Sequence, residues 1–119
     1  MLIDPAYELQ KEHVDVIAAV RKAHERFATG VVAIWYPVIE RRWVERFERA
    51  LRATRIAPIA TYELCVAREK HARGLVGSSV CVINPPHTID DELAVALPWL
   101  ATRLGTDGAG SYRMSPPST

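Results

Sequence analysis

Val31-Val32-Ala33-Ile34-Trp35-Tyr36 is a continuous apolar run, stopped by Pro37. Six residues are too few for a buried helix, and the β-branched and aromatic content suits a strand covered on both faces. Gly30 stands just before it. Upstream of that glycine, Val16, Val20, Ala23 and Phe27 recur at helical spacing, with Ile17 beside them. The spacing predicts a helix from about Leu9 to Ala28, closed by Gly30. Downstream, Trp43, Val44, Phe47 and Leu51 form one stripe of a second helix, about Ile39 to Ala53. Its other face carries Arg41, Arg42, Arg46, Arg49 and Arg52, with Glu45–Arg49 and Glu48–Arg52 as favourably ordered pairs. A buried strand between two amphipathic helices is the signature of a layered α/β fold with parallel pairing and right-handed crossovers.

Working outward, Met1–Ile3 is a short apolar stub that meets Asp4-Pro5 at once. Pro58–Ala67 reads as a strand with partial alternation. Arg68–Ser78 reads as a charged loop containing Gly74 and Gly77, and Ser79–Ile83 as another apolar strand, ended by Asn84-Pro85-Pro86. That loop is too short for a crossover helix, so these two strands are expected to pair antiparallel. Thr88, with Asp91 in capping-box position, opens a third helix striped by Leu93, Leu97, Leu100 and Leu104, with Trp99 assigned to the core. The tail from Gly105 frays or adds an edge strand. The expected order is β-α-β-α-β-β-α with the last strand antiparallel, one domain over 1–110 and a tail over 111–119.

The 119 residues suffice for one core without metal or disulfide staples. With 49% hydrophobic and 24% charged residues, disorder and low-complexity assembly are excluded. The net charge of +1 argues neither for nor against nucleic acid, since a local patch outweighs the sum. Cys65 and Cys81 read as buried free thiols of a cytoplasmic protein, because Met1 runs into Leu-Ile-Asp-Pro with no signal peptide. Neither cysteine belongs to a close-spaced pair and the histidines are scattered, so no metal is expected. No apolar run reaches the ~20 residues of a membrane helix.

Ligands of open α/β sheets bind beyond the carboxyl ends of strands. Three such ends hold notable residues: Asp4-Pro5-Ala6-Tyr7, Trp35-Tyr36-Pro37 and Asn84-Pro85-Pro86-His87. Proline ends strands and starts helices, which alone accounts for much of this pattern. The first turn also suits a particular chemistry. An exocyclic amine on a nucleobase is a poor nucleophile, because its lone pair is delocalised into the ring. A carboxylate can accept one N–H and a proline-held carbonyl the other, so that the nitrogen becomes more pyramidal and attacks a methyl sulfonium in line. An aromatic ring two residues on stacks on the extruded base.

Leu2-Ile3-Asp4-Pro5-Ala6-Tyr7-Glu8 resembles the Asp-Pro-Pro-Tyr motif of adenine-N6 methyltransferases. Arg26-Phe27-Ala28-Thr29-Gly30, Ala33-Ile34-Trp35-Tyr36-Pro37, Val82-Ile83-Asn84-Pro85-Pro86 and Leu97-Pro98-Trp99-Leu100 follow in order. Together they resemble the C-terminal part of the RlmJ family of 23S ribosomal RNA adenine-N6 methyltransferases. The resemblance implies the C-terminal portion of a Rossmann-like sheet, its fourth to seventh strands, with the seventh antiparallel between the fifth and sixth. It implies S-adenosylmethionine as methyl donor and 23S ribosomal RNA as substrate. It assigns Asp4 as the catalytic acceptor, with Pro5 and Tyr7 binding the target base.

Tyr36 is a further candidate for the base pocket, and Arg68, Lys70 and Arg73 are RNA-contact candidates, because a basic loop can follow phosphates. Ala6 departs from the family's second proline, which loosens the aim of the Pro5 carbonyl. The family's glycine-rich cofactor loop has no counterpart: Gly105-Thr106-Asp107-Gly108-Ala109-Gly110 follows a helix, not a strand, and reads as a tail loop. The chain is accordingly expected to be truncated and inactive alone. Alternatives are an RNA-binding module without catalysis, a homodimer formed through the bare edge of the first strand, and a DNA adenine-N6 methyltransferase fragment.

Overall fold

The computed structural model describes residues 2–3, 12–56, 58–68 and 76–118. In chain order they form β1 (Leu2–Ile3), α1 (Glu12–Arg26), β2 (Val32–Val38), α2 (Arg41–Ala53), β3 (Ile59–Cys65), β4 (Gly77–Ile83), α3 (Ile89–Leu104), a 3-10 turn (Thr106–Gly108) and β5 (Ser111–Ser118). The strands make one sheet in the order β1-β2-β4-β3-β5. β1 runs parallel to β2, with Leu2 opposite Ala33 and Ile3 opposite Ile34. β4 is antiparallel to both β2 and β3, and β5 is antiparallel to β3. The last four strands therefore form an antiparallel ladder in which β2 and β3 point the same way. The result is a small α/β domain.

Side-chain alternation sorts the sheet into two faces. Val32, Ile34, Tyr36 and Val38 of β2 pack with Val16, Val20 and Ala23 of α1 and with Val44, Phe47 and Leu51 of α2. The opposite face gathers Ala60 and Tyr62 of β3, Val82 of β4 and Leu97 of α3. The apolar run in β2 predicts cover on both sides. One side is covered fully; Ala33 and Trp35 on the other remain half-buried.

Three local expectations are corrected. α1 ends at Arg26, before Phe27, which stands 65% exposed. The Phe27 amide still donates to the Ala23 carbonyl at 2.9 Å, and the Gly30 amide turns back onto the Phe27 carbonyl at 3.0 Å, so the chain leaves the helix at Phe27, whose side chain lines an open hollow beside Ala23. The Thr88–Asp91 capping box does not form: Thr88 has αR backbone angles (φ −101°, ψ −2°) and makes no side-chain cap, whereas a cap residue needs extended geometry. Asp90, Asp91 and Glu92 instead bring negative charge to the amino end of α3, where the helix dipole favours it. Trp99, expected in the core, is 57% exposed. Leu97 and Ala101 take the buried stripe of α3, and Trp99 lies two residues from each, which at 3.6 residues per turn is the opposite side of the helix. The Arg103 guanidinium covers its ring at 4.9 Å.

Candidate functional site

The sheet's directions define a carboxyl edge. β2 and β3 end there at Val38 and Cys65, and β4 and β5 begin there at Gly77 and Ser111, while β1 points the same way but stops at Ile3, level with Ile34 and four residues short of Val38. Asp4-Pro5-Ala6-Tyr7 follows β1 directly in sequence. Asp4, Pro5, Tyr7, Lys70 and Arg73 lie outside the described residues. Arg68 is exposed just beyond β3.

The Asn84-Pro85-Pro86-His87 turn stands at the other edge, because β4 is reversed. The Asn84 side chain donates to the carbonyls of Ala28 and Gly30, both at 2.9 Å. Its backbone has φ +54°, a left-handed conformation that Asn tolerates better than most residues. Asn84 thus ties the end of β4 to the turn between α1 and β2. It shares a residue pattern with Asp4-Pro5-Ala6-Tyr7.

Tyr36 is fully buried between β2 and α2, its ring 4.8 Å from that of Phe47. Its hydroxyl donates to Glu48 at 2.5 Å. Among the described residues it belongs to a core network rather than to an open pocket wall. Arg113 of β5 donates to both Glu48 oxygens at 2.9 and 3.0 Å and to Glu63 of β3 at 3.1 Å. Arg41, in the first turn of α2, grips Glu63 with both terminal nitrogens at 2.7 and 2.8 Å. The Ser79 hydroxyl donates to Glu63 at 3.3 Å. Two carboxylates and two guanidiniums therefore neutralise each other while joining β2, α2, β3, β4 and β5.

Burial alone would push the Glu63 carboxyl up, but its hydrogen bonds and charge pairing with Arg41 and Arg113 outweigh that and hold it at about 2. Burial also works against the charge on Arg113, and Glu63 and Glu48 overcome it, so its pKa is raised. The Tyr36 hydroxyl is pushed up by burial and by the neighbouring Glu48. The Cys81 thiol is pushed up to about 12, chiefly by burial. None of these shifts moves a group toward pH 7, so the network orders the edge without supplying a proton shuttle. The sequence pattern does not bring Glu48, Glu63 and Arg113 together as a set. The available signal was Glu63 itself, a lone carboxylate in the apolar strand Ile59–Cys65, which needs a buried partner.

A cleft of about 470 Å³ opens on this edge, with Arg41, Cys65, Arg68, Gly108, Gly110 and Ser111 among its walls. A smaller apolar hollow of about 300 Å³, lined by Ala23, Phe27, Gly30, Val31 and Val32, lies at the opposite edge. Among the described residues no cluster of His, Cys, Asp or Glu could hold a metal ion. None of the described helices is long and apolar enough to cross a membrane. Nor do the described residues fit a nucleoside cofactor. The glycine-rich turn follows α3, and a Cβ at Gly110 would overlap the Ala101 carbonyl, so that glycine serves helix–strand packing instead of a phosphate cradle.

The fold and this edge define an α/β protein of the kind that carries ligands beyond the ends of its parallel strands. The chain belongs to the RsmJ family, whose model, described as "Ribosomal RNA large subunit methyltransferase D, RlmJ", matches residues 1–116. It is 41% identical over 112 residues to the Haemophilus influenzae protein named "Ribosomal RNA large subunit methyltransferase J", covering 94% of this chain and 40% of that one. The Escherichia coli protein of the same name is 37% identical over 115 residues, covering 97% of this chain and 41% of that one. The crystal structure of protein LPL1258 from Legionella pneumophila matches with a TM-score of 0.86 and 32% identity, over 98% of this chain and 43% of that one. The chain thus spans about two fifths of the length of the curated relatives it matches.

Proposed function

We propose that this chain carries the target-base part of an S-adenosylmethionine-dependent methyltransferase acting on the N6 of an adenine in 23S ribosomal RNA, on a Rossmann-like sheet. The observation that carries the reading is the family match over residues 1–116. It is supported by a β1 that runs parallel to β2 and is followed directly in sequence by Asp4-Pro5-Ala6-Tyr7. The donor supplies an electrophilic methyl group. In this reading the Asp4 carboxylate and the Pro5 carbonyl accept the two hydrogens of the adenine amine and orient its lone pair, and Tyr7 stacks on the ring. Tyr36, buried and bonded to Glu48, stiffens β2 beside that turn instead of touching the base.

The test is genetic. Deleting the gene for this chain should remove N6-methyl from one adenine of large-subunit RNA. Returning the intact gene should restore it, and the same gene carrying Asp4→Ala should fail to. Unchanged methylation in the deletion overturns the reading. Full rescue by Asp4→Ala removes Asp4 from its role.

A further inference from the structure

The cleft on the carboxyl edge is not used by the chemistry assigned to the Asp4 turn. It lies at the β3 and β5 side of the sheet, and β1 is at the far end of the strand order. Three to four strand spacings separate them across the sheet, roughly 14–19 Å, and β1 also stops level with Ile34, four residues short of the edge where the cleft lies. Two of the residues lining it are arginines, and no carboxylate is among its described lining residues. Arg41 is held in place by its two-point grip on Glu63 yet keeps 31% of its side chain open to solvent. Arg68 is exposed.

The remaining wall is the glycine-rich turn at the end of α3. Gly108 has a positive φ of 71°, and a side chain added there would meet nothing, so this wall stays low and open. Gly110 is required where the turn packs against Ala101. Small residues there let another backbone approach closely, and Ser111 adds a hydroxyl. A rim with one exposed guanidinium (Arg68) and one anchored by Glu63 (Arg41) over small residues suits an extended polyanion better than an enclosed small molecule.

We propose that this cleft binds a phosphodiester of the RNA backbone, with Arg68 and Arg41 as the phosphate-contacting side chains and Glu63 as the positioning residue for Arg41. The proposal rests on the reading of the substrate as RNA. It assigns the glycine-rich turn a place in the protein: the floor of a backbone-binding groove, several nucleotides from the target adenine.

The test measures binding of the full 119-residue chain to a fluorescently labelled hairpin of unmodified large-subunit RNA across a salt series. Arg68→Ala should weaken binding about eightfold near 0.1 M salt and flatten the logarithmic salt dependence by about 0.9 for a duplex segment, or about 0.7 for a single strand. Ser111→Glu should weaken binding at least as much. Arg46→Ala, on the exposed outer face of α2, should bind as wild type does. Wild-type affinity and slope in both cleft variants overturn the proposal while leaving the RNA reading intact. An equal loss in Arg46→Ala also overturns it, by showing a diffuse charge effect. No RNA binding by the wild-type chain overturns it together with the RNA reading. Normal, Arg68-dependent binding with methylation indifferent to Asp4→Ala upholds the cleft and sinks the role of Asp4.

Discussion

At the scale of single residues, Asn84 shows how a motif and its place can part company. Its two hydrogen bonds to Ala28 and Gly30 and its left-handed backbone are separate contributions. Asn84→Ala loses both and should destabilise the fold by about 2 kcal/mol. Asn84→Gly keeps the backbone conformation and should lose only about half of that. Denaturant midpoints of the two variants measure the difference; equal losses would show that the backbone conformation contributes nothing. The thiols offer a second check. Cys65 and Cys81 are free and buried, and Cys81 is held protonated far above neutrality. Neither should react with a thiol reagent at pH 8 until the chain unfolds. Rapid labelling of the folded chain would contradict the burial.

At the scale of elements, the charge network decides how β5 is held. Glu63 is lowered to about 2 from an ordinary 4.5. Its contribution is therefore complete above pH 4.5 and is lost as the pH falls toward 2, on the order of 2 kcal/mol. A Glu63→Gln variant should be less stable than wild type at pH 7 and should show a flatter acid limb between those values. Parallel acid limbs would disprove the assignment. Arg113→Met leaves Glu48 and Glu63 sharing fewer cations in a buried setting and should cost about 3 kcal/mol, loosening β5 first. Hydrogen exchange along β5 reads this directly. Protection in β5 that survives the substitution would place the strand's stability in its ladder with β3 alone.

At the scale of the whole molecule, the carboxyl edge of the sheet collects the exposed Arg68 and the arginine-walled cleft, while Asn84 ties the other edge to the turn before β2. Because no described residues form a cradle for the methyl donor, the isolated chain mixed with methyl-labelled S-adenosylmethionine and unmodified large-subunit RNA should incorporate no label. Incorporation would show a donor site in the residues outside those described. The order of helices and strands was legible in the sequence, since apolar periodicity is a local signal; Pro37, expected to stop β2, instead lies inside it opposite Ser78, and the strand runs on to Val38. Also legible was the antiparallel pairing of β3 with β4, which follows from a connection too short to cross over. The exposure of Trp99 was not. The sequence shows an apolar residue in an apolar helix, and only the sheet decides which stripe of α3 faces inward.

The sequence by itself determined the family, the α/β class and the candidate base-binding turn, because these depend on residue types at short spacings along the chain. Tertiary structure alone decided that Asn84 ties the end of β4 to the turn before β2, that Tyr36 is a buried partner of Glu48, and that Arg41, Glu63 and Arg113 meet. Those facts depend on strand direction and on contacts between residues 12 to 65 positions apart. Charged groups that far apart are neighbours only once the sheet has formed, and the desolvation that makes their pairing strong exists only in the folded core.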